Sequence, residues 1–439
     1  MSVIPQLARF VHEASLARLP MGEQAMARRH VADAAIAGVA GARTHEAAAF
    51  RDLGAGGDDD AIAVAATIVR HSEVDDIHLP SCTTPSSVAV PVALMLAAEF
   101  GDIDPARVAD AIWVGTELVT RFGVAIDGAN ALYRGVWPTC VGAPLGVAAV
   151  AARLWGLDQA TTEHALSLSL MLMGGRTGKF SGSLSGRWVL FMGAIGEGMR
   201  AARAARAGFC GDATLLDGPW LEKAQGMPAD MAKLVDGLGA TSIYPALSMK
   251  PFCTARQALG PTDAFMALLD EGLDPRAVES VVVRVPQTYA GMISLRVDPA
   301  NRLSGFVSAG FQMGLAAFRR DHLWDLDRSA VMNDPNALAF AARVSVFADS
   351  ALQADYPRRW PAIIEVRVGD AVIERAAMAV TGDPDRRLDD AAVIDKGRRL
   401  LTPLMGEAQA SQTVDAAMAG LTSPSHCERL VAMFRAAMG

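Results

Sequence analysis

The first 240 residues contain no convincing run of alternating apolar and polar side chains, and this constrains the fold more than any motif does. Helical spacing recurs instead. Ile4, Leu7, Phe10 and Val11 share one face, and the Ala-rich run HVADAAIAGVAGAR follows. A helix is expected from Asp60 to His71. Asp104 and Pro105 suit the cap and first position of the next long helix, Ala106–Phe122. Leu132–Thr139 is expected to be loop, because Gly135 and Pro138 interrupt the pattern. Gly142–Leu154, Gly156–Met173, Trp188–Ala207 and Pro219–Asp236 all have helical character. The pattern then changes. Val278–Pro286 is rich in β-branched residues, and Ile363–Val368 and Ala371–Val380 alternate around Gly369-Asp370, a hairpin signal. Helical segments near Phe306–Phe318 and Pro335–Arg343 lie between them. From Arg387 onward the chain returns to helices, Asp389–Leu404 and Val414–Leu421, with a short terminal one. The expected fold is mainly α, a large discontinuous all-helical domain (1–247 and 388–439) plus a smaller α+β lid domain (248–387).

The composition suits a large buried core. Of 439 residues, 51% are hydrophobic and only 20% charged, so two domains are the natural expectation and part of the surface is expected to be covered by another subunit. A net charge of −8 without a basic stripe argues against nucleic-acid binding. Five scattered cysteines (82, 140, 210, 253 and 427) form no CxxC pair, which points to a reducing, cytoplasmic setting and away from zinc or an iron–sulfur cluster. The amphipathic N-terminus is unlike a signal peptide, and the apolar segments Val88–Glu99 and Gly142–Leu154 are too short to span a bilayer, so no membrane is expected.

One stretch concentrates ionisable chemistry. Residues 71–78 (HSEVDDIH) hold two histidines and three carboxylates, followed by the polar loop Ser81–Ser87 and the apolar helix Val88–Phe100. Asp75, Asp76 and His78 form a candidate acid/base cluster, since neighbouring carboxylates raise one another's pKa and a carboxylate orients an imidazole. The competing reading is helix termination, with these side chains satisfying backbone groups. His71 suits a cationic helix end. Elsewhere, Lys250 precedes a proline near the expected domain junction, where it can serve as a base or bind a carboxylate; a surface lysine is the ordinary alternative. Arg256, a turn later, can hold a carboxylate in its fork. Tyr133 offers a phenol and Arg134 a cation just before Gly135, and Trp137 can close a pocket or pack beneath a loop. The Gly/Ser stretch 174–187 lacks phosphate-loop spacing, but Ser181, Ser183 and Ser185 with Arg187 can bind a carboxylate at the next helix start.

Several of these motifs, in order, resemble the MmgE/PrpD family, which includes 2-methylcitrate dehydratase, cis-aconitate decarboxylase and iminodisuccinate epimerase. Glu73-Val74-Asp75-Asp76-Ile77-His78 resembles that family's D-F-D-D-T-H. Thr84-Pro85-Ser86-Ser87 stands where the family has H-P-G-S, and Gly135-Val136-Trp137-Pro138-Thr139 resembles G-[FW]-H-P-T. Gly182-Ser183-Leu184-Ser185 resembles G-S-M-T, and Lys250-Pro251-Phe252-Cys253 resembles K-x-[YF]-P-[SA]-C. The resemblance covers most of the chain. It implies a homodimer, a site between the helical domain and the lid, and chemistry without metal or nucleotide. The departures are as informative. Thr84 and Trp137 replace family histidines, Gly186 and Val189 replace the lysine and histidine of a following K-P-L-H run, and no histidine follows Lys250 closely.

The resulting expectation is a cofactor-independent, dehydratase-like lyase acting on a small carboxylic acid. Lys250 or His78 would move the proton, Asp75 would set the state of His78, and Tyr133 would serve as general acid. Asp76, Thr84, Arg134, Trp137, Arg187 and Arg256 would bind substrate. The alternatives are an isomerase or epimerase, a small-acid-binding homodimer without catalysis, and a metalloenzyme using His71, Asp75, Asp76 and His78.

Overall fold

The computed structural model describes residues 2–174 and 185–439. The chain divides into two compact units. One holds the described residues up to 174 together with Gly186–Leu247 and Asp390–Gly439; the other holds Ser185 and Ser248–Asp389. Helix accounts for 61% of the structure, and a four-stranded sheet lies in the second unit, so the protein is mainly α with a smaller α+β part.

The core of the first unit is made of helices buried on every side over long stretches. Residues 30–41 of the helix Met21–Gly41 are all buried, as is nearly all of Ser86–Ala97. Such helices cannot face water on any side. Pro105–Ala125 packs along Pro138–Trp155, and glycines set their closest approach. A Cβ on Gly146 would lie 2.3 Å from Val119, and one on Gly115 2.4 Å from Val150. Local chemistry fixes the ends. Asp104 accepts from the Ala106 N–H at 2.9 Å, Pro105 and Pro138 occupy first turns, and Gly156 ends a helix at φ 65°.

Several sequence expectations change here. Leu132–Thr139 is not all loop: Leu132–Arg134 is a 3-10 turn and Pro138 opens an 18-residue helix, because proline is pre-set for the first helical position. By length and composition Pro138–Trp155 is apolar enough to cross a membrane, and 89% of it is buried within the protein. Pro219–Asp236 yields only the short helices Trp220–Lys223 and Ala232–Val235, separated by Gly226 at φ 59° and Pro228. The terminal helix is not short, since Ser423 caps fifteen residues from Pro424 to Met438. Ser181 and Ser183 lie outside the described residues.

In the second unit the strand order is Val344–Ala348, Ser280–Val285, Ala362–Val368 and Ala371–Ala377. The first pair is parallel, with Val281 opposite Val344; the others are antiparallel, with Val283 opposite Ile364. Val281, Val283, Val285, Ile364 and Val366 point inward, and the helix Arg256–Asp270 packs on this face. Gly260 allows the approach, since a Cβ there would meet the Ala362 Cβ at 3.0 Å. The strand Val344–Ala348 is the unexpected element.

Candidate active site

The ionisable run begins where the Asp58–His71 helix stops. Ser72 Oγ donates to Val69 O at 2.6 Å, and the Val74 N–H donates to Ser72 Oγ at 3.3 Å, closing a tight turn. Glu73 follows in the left-handed region at φ 56°, an uncommon conformation for a residue with a Cβ. The reversal returns two carboxylates to the helix end. Arg70 Nη1 lies 3.3 Å from Glu73 Oε2 and 3.3 Å from Asp75 Oδ1, with all three side chains buried. Burial alone would favour neutral Arg70, but the charges of Asp75 and Glu73 outweigh it and hold its pKa above the usual value. The Arg70 guanidinium also lies 5.6 Å from the Trp137 ring and 6.0 Å from that of Trp188. Arg187 approaches the same cluster, 3.8 Å from Glu73 Oε1 and 4.4 Å over Trp188.

Asp76 points to other partners. It accepts from His30 Nδ1 at 2.9 Å, from Ser86 Oγ at 2.5 Å and from the Ser86 N–H at 3.2 Å. Three donors thus satisfy a fully buried carboxyl group. One turn beyond His30, Asp33 pairs with Lys396 at 2.5 Å, and Lys396 also donates to the carbonyl of Val74 at 2.9 Å. Burial pushes the Asp33 carboxyl above its ordinary pKa even against the adjacent ammonium. Tyr244 packs its ring 5.9 Å from His30.

His78 is held within its own loop. Its Nδ1 lies 2.9 Å from Ser81 Oγ and 3.3 Å from the Ser81 N–H, while its backbone N–H donates to Thr83 O at 2.8 Å. Burial lowers the imidazole pKa to about 4, and the carboxylate opposing that shift is Asp76. Cys82, at φ 52°, turns this loop back. The Thr84 N–H then donates to Thr139 Oγ1 at 3.1 Å, and Thr84 Oγ1 lies 3.0 Å from Ser87 Oγ. Two segments 55 residues apart are thereby tied together, and the second brings in Trp137. Trp137 is buried and stacked on Phe191 with centroids 5.3 Å apart, and meets Trp188 edge to face at 5.8 Å.

Asp75, Asp76, His78, Thr84, Trp137 and Arg187 therefore share one region of the first unit. Tyr133 and Arg134 lie exposed on the turn preceding Trp137. His71 does not join the cluster. It is buried between Phe50, at 5.0 Å, and Trp188, at 4.7 Å, and lies 3.9 Å from Glu46. The four residues weighed for a metal point to different neighbours. Among the described residues no group of three or more His, Cys, Asp or Glu is arranged to hold one.

Lys250 and Arg256 belong to the second unit, where the segment between them is clamped at both ends. Asp383 accepts from Arg256 Nη2 at 2.8 and 2.7 Å, and from Ser248 Oγ at 2.8 Å. On the other side the Cys253 carbonyl accepts from Arg328 Nη2 at 2.5 Å and Gln312 Nε2 at 3.1 Å, and Trp324 Nε1 donates to Pro251 O at 2.9 Å. Lys250 itself is only 2% exposed. Arg256, expected to hold substrate, gives only its Nη2 to Asp383; its Nε and Nη1 have no hydrogen-bond partner among the described residues.

Sequence reasoning placed Glu73 and Ser81 in the run but gave them no role, and it missed His30, Asp33, Arg70, Trp188, Arg328 and Lys396. His30 and Asp33 did carry a signal, two polar residues one turn apart in an Ala-rich helix. Lys396 and Arg328 carried none, because their partners are distant in sequence.

The MmgE/PrpD N-terminal domain model matches residues 5–230, and the MmgE/PrpD C-terminal domain model matches residues 252–419. The chain belongs to the MmgE/PrpD family. This family is known for dehydratase-type, lyase-type and related activities. Its N-terminal match contains the whole run 71–87 and the Trp137 segment; the C-terminal match begins at Phe252, two residues after Lys250. No curated protein matches the chain.

Proposed function

We propose that this MmgE/PrpD protein is a cofactor-independent lyase that removes a proton next to the carboxylate or carbonyl of a small organic acid and then expels a group, as a dehydratase does. The observation that supports this most is the state of His78. The Ser81 N–H aimed at Nδ1 makes that nitrogen the acceptor and leaves the ring proton on Nε2. With a pKa of about 4 the ring is neutral at pH 7. A neutral N–H donor cannot take a proton at its Nε2 edge, but it stabilises the oxyanion that grows as a neighbouring carbon loses one. The base of this reading is Lys250, the lysine of the family-like K-P-F-C segment. Lys250 takes the C–H proton, the electron pair forms the double bond, and the leaving group departs with the proton of the Tyr133 phenol, the general acid of this reading. Arg134, exposed and without a partner among the described residues, is the arginine best suited to hold a substrate carboxylate.

One observation favours a second reading, an isomerase or epimerase. Trp137 is buried and stacked where the family motif has histidine, so it cannot protonate a leaving hydroxyl. Deprotonation and reprotonation need no such acid.

A deuterium-exchange screen over small carboxylic acids tests both. Exchange with elimination, abolished by Lys250→Ala, supports the lyase. Exchange without elimination supports the epimerase. An acid that raises the melting temperature yet exchanges no proton at any pH would establish a binding protein and sink both. The protein is also proposed to be a cytoplasmic homodimer. Met171, Leu172, Val189 and Leu190 are exposed apolar side chains proposed to lie in the covered face. Light scattering on Val189→Asp tests this, with a shift to monomer expected and an unchanged mass counting against it.

A further inference from the structure

A cavity of about 510 Å³ opens in the first unit beside the helix Val3–Glu13, bordered by Pro105–Ala125 and the segment Val235–Ala240. Its apolar wall is aromatic. Phe10 meets Trp113 edge to face with centroids 5.3 Å apart. Trp113 is fixed in place, because its indole N–H donates to Glu117 Oε1 at 3.1 Å. The opposite wall is fixed as well. Arg121 donates to the Asp236 carbonyl at 2.8 Å, and Gly237 and Gly239 turn the chain at φ 66° and 79°. A Cβ on Gly239 would stand 3.3 Å from Phe10.

The polar side of the cavity carries Arg9 and Arg18, both exposed. Neither guanidinium has a hydrogen bond or ion pair with any described residue. Arg9 precedes Glu13 by four residues, the spacing of a helical ion pair, yet the two do not pair although both line the cavity. Arg134, elsewhere in this unit, is likewise without a partner among the described residues, whereas Arg70, Arg121, Arg153 and Arg203 are held by carboxylates. Two uncommitted guanidiniums against one carboxylate leave this rim net positive above an apolar, preformed wall.

We propose that this cavity is a second binding site, for a small anion with a flat apolar body, an aryl carboxylate or aryl phosphate. The guanidiniums take the anionic group in a fork, and the ring packs against Phe10 and Trp113. The volume suits such a ligand, since small-molecule sites span roughly 300–1,000 Å³. Glu13 on the rim disfavours highly charged ligands such as nucleoside triphosphates.

Calorimetric titration of the full chain with benzoate, phenyl phosphate and neutral benzamide tests the proposal. At least one of the two anions is expected to bind with one site per chain, and which one binds decides between carboxylate and phosphate. Arg9→Gln/Arg18→Gln is expected to weaken that binding at least ten-fold, about 1.4 kcal/mol, with an unchanged melting temperature because neither side chain supports the fold. The proposal is overturned if benzamide binds as tightly as the anions, if the double variant binds them as the parent does, or if neither anion binds in the millimolar range.

Discussion

His30 Nδ1 lies 2.9 Å from Asp76 Oδ2, and Ser86 meets the same carboxylate with both its hydroxyl and its backbone N–H. Two helices, Met21–Gly41 and Ser86–Ala97, thus converge on one buried carboxyl group that the substrate need not touch. Replacing His30 by Leu removes one donor and leaves the others, so a loss of about 1–3 kcal/mol is expected. His30→Gln, which can still donate, is expected to lose less. Urea denaturation of the two variants measures this, and equal losses would show that the hydrogen bond is not what His30 contributes.

His78 gives a pH signature. Its folded pKa, about 4, lies below the ordinary value of 6.5. Between these values the unfolded chain binds a proton that the folded chain does not, so stability falls as pH drops from 6.5 towards 4. The full contribution is about 3 kcal/mol. The parent's unfolding free energy is expected to fall more steeply across that window than that of His78→Gln. Parallel curves would mean that His78 titrates normally in the fold.

The Asp33–Lys396 pair is buried at both ends. Removing one partner strands a charge, so Lys396→Met or Asp33→Asn alone is expected to cost about 3–5 kcal/mol. The double variant is expected to recover much of that, although the Val74 carbonyl still loses its donor. Chemical denaturation of the four proteins in a cycle reads the coupling, and strictly additive losses would argue against a paired state.

Arg70→Met should behave differently with pH. It leaves Glu73 and Asp75 buried without their principal cation, raising their folded pKa values. Carboxylates with raised folded pKa values favour the fold at low pH and oppose it as pH rises. The variant's deficit relative to the parent is therefore expected to shrink from pH 7 to pH 5. A deficit that stays constant would assign Arg70 a packing role against Trp137 and Trp188 instead.

Much of the fold was legible because the helices bury whole faces, Val278–Pro286 is rich in β-branched residues, and Ile363–Val368 and Ala371–Val380 alternate around Gly369-Asp370. The strand Val344–Ala348 was not, since it is an edge strand with mostly exposed side chains, Phe347 among them, and so lacks an apolar period. Residues 73–87 were legible as a candidate site because ionisable groups crowd between apolar helices. Their pairing was not. The residues that fix the run come from Arg70, His30 and Lys396, and only Arg70 is near in sequence. The state of His78 was likewise hidden, since it depends on burial and on the fold of its own loop, with Asp76 as the opposing charge.

The bond from Lys396 to the Val74 carbonyl joins positions 322 residues apart. During synthesis Val74 emerges long before the lysine that secures it. At the usual elongation rates of about 5–20 residues per second, the interval is roughly 15–65 s. A nascent chain therefore carries the Glu73–Asp76 turn with its Arg70, His30 and Ser86 partners but without this tether for most of translation. A molecule truncated before Lys396 would retain every residue of that turn and still lack the tether that holds it.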